Sequence, residues 1–173
     1  WTDYTVEMDF KRAGGGNSHC IFLIAREQGN QRYILQQSGS TLALFRQVGT
    51  TNVQVGSSAS VSAPNDTWHN IKMELSGNTI KCYVDGVLKL NCVDDGSYGG
   101  DPFTYGGVGI YVRATGQYPE FDNFKVTHAG DTTSFLDEFI DDRYLQGVTY
   151  KWNPDVADNW SVTDGVYETG ASA

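Results

Sequence analysis

A chain of 173 residues with 20 Gly, 10 Tyr and 8 Phe is long enough to bury the core of one domain, and this mix suits an all-β protein rich in turns. A formal charge of −9 argues against a phosphate-backbone partner, and no stretch approaches the ~20 apolar residues of a membrane span, so neither nucleic acid nor a membrane is expected as a partner. Three cysteines without a CxxC pair, and three histidines, leave no zinc-site spacing.

The chain opens inside a strand pattern without a leader, as a mature form or an excised segment would. Tyr4, Val6, Met8 and Phe10 alternate with polar residues, the mark of a half-buried strand. Residues 13–18 form a Gly-rich loop, and residues 20–25 are continuously apolar, as in a central strand. Strands over 32–37 and 42–48 are separated by Ser38-Gly39-Ser40, and 52–61 is a polar strand or loop. A meander follows. Residues 68–75 alternate, Ser76-Gly77-Asn78 turns, Ile80, Cys82 and Val84 repeat the alternation, and Asp85-Gly86 turns into 87–90. A plain two-residue turn sets Cys82 opposite Lys89 and Cys92 opposite Thr79, on different faces. The pair needs a bulge to meet, and a free buried thiol is expected for at least one cysteine.

Residues 94–107 read as a long loop. Val108, Ile110 and Val112 then form a core face with Tyr111 and Arg113 on the other, and 121–126 is a further strand. Residues 127–134 read as a linker. Beyond them Trp160, Val162 and Val166-Tyr167 suggest a hairpin through Asp164-Gly165. Trp68 and Trp160 fall at core positions, no helix pattern occurs, and 138–144 has room for one helical turn. The expected fold class is all-β: a two-sheet antiparallel β-sandwich, or jelly roll. Charge is uneven along it. Residues 131–173 hold nine of the 21 acids and two of the 12 bases, either a solvated acidic face or carboxylates that hold calcium.

The strand Trp1-Thr-Asp-Tyr-Thr-Val-Glu-Met-Asp-Phe10, the meander over 68–88 with its Val-Asp-Gly turn, Gly107-Val-Gly-Ile-Tyr111 and Phe121-Asp-Asn-Phe-Lys-Val126 resemble the concanavalin A-like lectin/glucanase domains, in particular laminin G-like jelly rolls. The resemblance covers residues 1–126 and implies a secreted carbohydrate-binding module of the kind found beside glycosidases and lyases. Those domains open with an Asp-Phe-rich strand and a Trp-x-Val-x-Asp-Gly strand. Here the similar segments, Leu136-Asp-Glu-Phe139 and Trp160-Ser-Val-Thr-Asp-Gly-Val-Tyr167, come after the last strand. Residues 1–173 are therefore expected to form a single sandwich in circularly permuted order, with 131–173 supplying the usual N-terminal strands. Otherwise 131–173 starts a second module, or completes a neighbour's sandwich in a strand-exchanged dimer. Permutation costs little where termini lie close together at the surface, and it places Ala173 near Trp1. The resemblance also implies a structural calcium where first and last strands meet, held by Asp122 and by Asp137 or Glu138.

No complete catalytic constellation is present, so no catalytic residue is assigned. Glu7 and Asp9 match part of a family 16 glycosidase strand, but the third acid is missing. A small glycosidase or lyase using Glu7/Asp9 or Tyr111/Arg113/Glu120 is the rival, and a structural or adhesive sandwich is a third alternative. Sugar binding needs an aromatic platform and a few charged or amide groups. Tyr111 and Arg113 share a face, with Tyr118 and Glu120 following. Arg26, Arg32, Tyr33 and Arg46 come from neighbouring strands, and Trp152 is the tryptophan best placed for an exposed stacking role. An arginine-lined site favours an acidic or keto-type sugar. Asn65-Asp-Thr67 and Asn159-Trp-Ser161 are glycosylation sequons that matter only in a eukaryotic source.

Overall fold

The computed structural model describes residues 1–12, 20–113 and 119–128 in full, and 135–137, 160–163 and 166–169 as strand backbone. Among these residues there are strands and turns and no helix. The strands are β1 (Tyr4–Arg12), β2 (Cys20–Gln28), β3 (Gln31–Ser38), β4 (Thr41–Val48), β5 (Thr51–Gln54), β6 (Ala59–Ser60), β7 (Trp68–Ser76), β8 (Thr79–Val84), β9 (Val87–Val93), β10 (Gly107–Arg113), β11 (Pro119–His128), β12 (Phe135–Asp137), β13 (Trp160–Thr163) and β14 (Val166–Thr169). They form two antiparallel sheets. The eight-stranded sheet runs β13-β14-β11-β1-β7-β8-β9, with β12 also on β11; the six-stranded sheet runs β10-β2-β3-β4-β5, with β6 on β4. This is the two-sheet antiparallel sandwich expected from the sequence.

The alternation of β1 places Tyr4, Val6, Met8 and Phe10 inward, and β7 adds Ile71, Met73 and Leu75. They pack against Ile21, Leu23, Tyr33, Leu35, Leu42 and Leu44 of the six-stranded sheet. Full burial of one such aliphatic or aromatic side chain contributes about 1.5–3 kcal/mol, so these two inner faces supply the main cohesion of the fold.

The β8–β9 hairpin turns at Asp85-Gly86, both with positive φ, as a two-residue turn matching strand twist requires. Val84 pairs with Val87 as expected, but the register shifts after Tyr83, so that Cys82 faces Leu90 and Cys92 faces Ile80. That bulge overturns the expected Cys82–Lys89 and Cys92–Thr79 pairings and turns both thiols inward. They remain free and buried, as does Cys20.

A second bulge sits in β2. Ala25 pairs with Tyr33 and Gln28 with Gln31, leaving one extra residue between them. Arg26 occupies that place at φ 50°, which swings it off the outward alternation and into the interior. Gly106 packs on this bulge at φ +146°, where an added Cβ would lie 2.4 Å from the Arg26 carbonyl carbon.

The expected long loop between β9 and β10 is pinned from beneath. Arg46 donates to the carbonyls of Gly99 (2.9 Å) and Asp101 (2.9 Å). Its Nε lies 3.3 Å from Asp94 Oδ2, an ion pair without hydrogen-bond alignment. Tyr33 donates to the same carboxylate at 2.6 Å and accepts from Phe103 N at 3.1 Å. Arg26 donates to Phe103 O (2.7 Å), Gly77 O (2.6 Å) and Thr2 O (2.9 Å). Burial raises the Tyr33 hydroxyl, with Asp94 adding to the rise, and desolvation lowers Arg26.

At the other side of the body β11 lies between β1 and the strands that follow it. Phe124–Val126 pair with β12, and Glu120 and Phe121 pair with β14. The helical turn considered over 138–144, and the position of Ala173 relative to Trp1, lie outside the described residues.

Candidate functional site

The two outward faces of this sandwich differ in chemistry. On the eight-stranded sheet polar side chains of the described strands β1, β7, β8 and β11 satisfy one another. Glu7 pairs with Lys125 at 3.3 Å, Lys11 pairs with Glu120, and Lys81 pairs with Glu74 at 3.5 Å. Asp9 accepts from Asn70 (2.9 Å) and Asn123 (2.8 Å). Lys72 lies 4.2 Å from the Tyr83 ring centroid, and Tyr83 donates to Glu74 at 2.9 Å. Trp68, expected in the core, is 40% exposed on this face with Lys11 over its ring. Its strand starts one residue before the first inward position, so the alternation leaves it outside.

The outward face of the six-stranded sheet is built the other way. The apolar run of β2 serves both faces: Ile21, Leu23 and Ala25 go to the core, while Phe22 joins Cys20 and Ile34 in a separate buried cluster backed by Phe45. Tyr111 of β10 lies directly across from Phe22, with ring centroids 5.2 Å apart and planes tilted by 38°. Tyr111 is 53% exposed, an aromatic surface over an apolar floor. Arg113 stands beside it, 5.9 Å from the Phe22 centroid, and donates to Cys20 Sγ at 3.3 Å. That hydrogen bond raises the Arg113 guanidinium further, so it is cationic at all working pH. Cys20 donates to Ser38 Oγ at 3.2 Å and accepts weakly from Gln36 at 3.9 Å. Further along the face Arg32 pairs with Glu27 at 2.9 Å, both partly exposed. Gln36 and Arg32 are four residues apart on β3, about 13 Å along the sheet.

The expected site residues therefore separate. Tyr111, Arg113 and Arg32 share this outer face. Arg26, Tyr33 and Arg46 do not: all three are buried and hold the 94–106 loop from inside. For Arg26 the bulge is the cause; Tyr33 and Arg46 occupy inward positions of their strands. Glu120 belongs to the other sheet and pairs with Lys11, because the chain crosses the sandwich between β10 and β11. The expected convergence of Glu120 on Tyr111 and Arg113 is thereby overturned. Tyr118 and Trp152 lie outside the described residues.

Sequence reasoning missed Phe22, Cys20, Gln36 and Glu27. A continuous apolar run hides which of its residues faces out, and only the β10–β2 register puts Phe22 beside Tyr111.

For the expected calcium, Asp122 lies on the eight-stranded sheet directly across from Asp9, and accepts from Asn123 N at 2.7 Å. Asp137 pairs by its backbone with Phe124, two positions further along β11. Glu138 lies outside the described residues, and among those described no three His, Cys, Asp or Glu side chains cluster.

The architecture is that of a lectin-like jelly roll with one self-neutralised face and one aromatic face. Residues 1–127 match the 3-keto-alpha-glucoside-1,2-lyase-like domain, and the chain belongs to that family. Among solved structures, the carbohydrate-binding module CBM66 from Bacillus subtilis is similar with 16% identity over 74% of this chain and 76% of that one, at a TM-score of 0.60. A Bacillus subtilis protein of unknown function with a galectin-like fold is similar with 15% identity over 73% and 72%, at a TM-score of 0.62. No curated protein matches the chain.

Proposed function

We propose that this domain is a non-catalytic carbohydrate-binding module that recognises a polysaccharide or oligosaccharide on the outward face of its six-stranded sheet. The observation that carries this reading is the exposed Tyr111 ring over Phe22, flanked by Arg113. A saccharide ring stacks its C–H face on such an aromatic surface while guanidinium and amide groups hold its hydroxyls. The shared fold with CBM66 supports the same reading. A polysaccharide panel in affinity gels, with isothermal titration of the retarding sugar, tests it. Tyr111→Ala is expected to abolish retardation without lowering the melting temperature. Retardation by none of the panel, or retardation unchanged in Tyr111→Ala, would sink the assignment.

A catalytic reading is favoured by one observation, the lyase-like family itself. Glu7, Asp9 and Glu120 are engaged by Lys125, Asn70, Asn123 and Lys11, which leaves Tyr111 and Arg113 as the groups to carry it. Turnover of a 3-keto-α-glucoside that disappears in Tyr111→Phe would replace binding by catalysis.

Residues 131–173 complete the same sandwich in this proposal, in circularly permuted order relative to laminin G-like domains. Support comes from β12 and β14, which pair with β11 of the body in cis. The inward residues Val108, Ile110 and Val112 of β10, an edge strand, are only half-buried and leave room for further packing. The alternatives are the start of a second module and a strand-exchanged dimer, which light scattering separates from a monomer. Calcium belongs to the same proposal. Asp9 and Asp122 stand at paired positions of β1 and β11, and Asp122 with Asp137 and Glu138 would supply the hard oxygen ligands that tether β12. A rise in melting temperature with calcium, reversed by chelator and lost in Asp122→Asn, is expected. A secreted accessory role beside a covalently linked glycoside hydrolase or lyase completes the proposal; culture fractionation tests the location.

A further inference from the structure

At the end of the sandwich where β1 stops, the β3–β4 turn and the stretch around β6 border an open pocket of about 760 Å3. Its wall is hydroxylic. Ser38, Ser40, Thr41, Ser60 and Ser62 line it together with Arg12, and among the described residues no acidic side chain does. Arg12 is only 5% exposed. Its Nη1 donates to Gly39 O at 3.1 Å, its Nη2 donates to Ala63 O, and its Nε has no partner.

The other two buried arginines each face a carboxylate: Arg26 lies 3.4 Å from Asp3 and Arg46 lies 3.3 Å from Asp94. Among the described residues no carboxylate pairs with Arg12. A cation taken out of water without a counter-charge is costly, and an anion entering the pocket would relieve that cost.

Strand pairing links the wall of the pocket to the aromatic face. Ser38 pairs with Cys20 on one side and with Thr41 on the other. Cys20 in turn carries the Arg113 guanidinium at 3.3 Å. Cys20 and Ser38 are therefore the neighbours that link Arg113 to the pocket that Arg12 lines.

We propose that this pocket is a subsite for the carboxylate of a uronic acid residue, belonging to a saccharide that lies on the Tyr111 face. Arg12 supplies the counter-charge, and the serine and threonine hydroxyls, each donor and acceptor, hold the sugar hydroxyls around it. The inference rests on the carbohydrate-binding reading above and names the class of sugar.

Isothermal titration with trigalacturonate and with its carboxyl-reduced counterpart tests it. The acidic probe is expected to bind about tenfold or more tightly, the contribution of a charge-assisted hydrogen bond. That preference falls to near unity in Arg12→Gln, while affinity for the neutral probe stays. Ser60→Leu, which fills the pocket and keeps Arg12, removes the preference as well and decides the matter if Arg12→Gln does not fold. Equal affinities in the wild type, or a preference that survives in Ser60→Leu, would overturn the subsite. So would binding by neither probe, while the polysaccharide panel judges the carbohydrate reading by itself. Neutral binding through Tyr111 without any carboxylate preference sinks the subsite alone.

Discussion

Single residues in this domain do work that their types do not announce. Five of the arginines and tyrosines expected around a sugar divide between two jobs. Tyr111 and Arg113 present themselves on a face, whereas Arg26, Tyr33 and Arg46 hold a loop from the inside. The two groups predict opposite responses to substitution. Arg46→Ala leaves Asp94, which is fully buried, without its cation, and a loss of about 3–5 kcal/mol in denaturant unfolding is expected. An Arg46→Ala protein as stable as the wild type would show that Asp94 does not depend on this ion pair. Gly106→Ala is expected to be as damaging for a different reason, because its Cβ meets the backbone at 2.4 Å at a φ that L side chains rarely adopt. A wild-type melting temperature in that variant would mean the bulge at Arg26 can move aside.

At the scale of elements, the alternation of β7 and β8 and the turn into β9 were legible in the sequence. The inward positions alternate strictly, and Asp85-Gly86 is a turn sequence with only one good backbone solution. The bulges were not legible. One shifts Cys92 and another turns Arg26 inward, and both depend on register with a neighbouring strand that the local sequence does not encode. The same limit hid Phe22, whose outward direction is set by pairing with Tyr111 and not by any pattern within 20–25. The strands after residue 131 carry the next expectation. A chain ending at His128 loses the partners of 120–121 and 124–126 on β11 and exposes a long edge, so a lower melting temperature and a tendency to self-associate are expected by light scattering. An equally stable, monomeric truncated chain would assign 131–173 to a separate module.

For the whole molecule, the buried acids of the core set the response to alkali. Burial pushes Tyr4 up from its ordinary 10.0 to about 12, and it raises Cys82 and Cys92 from 9.0. The folded form therefore keeps these protons longer than the unfolded chain does. That contribution is complete below pH 9, where all three groups hold their protons in both states, and the share from Tyr4 is lost as pH rises through about 12. Tyr4 accounts for about 2–3 kcal/mol of that loss, and Tyr4→Phe is expected to flatten the decline in urea midpoints above pH 10. An unchanged slope in that variant would place the alkaline transition elsewhere. The Arg26 guanidinium has a consequence for the order in which the chain assembles. It binds carbonyls at positions 2, 77 and 103, which no short loop brings together and which meet only after both sheets have closed. Its contacts are then expected to form after the folding transition state. Arg26→Met is expected to leave the folding rate nearly unchanged and to accelerate unfolding, so that one side chain sets how long the native state lasts and not how quickly it is reached.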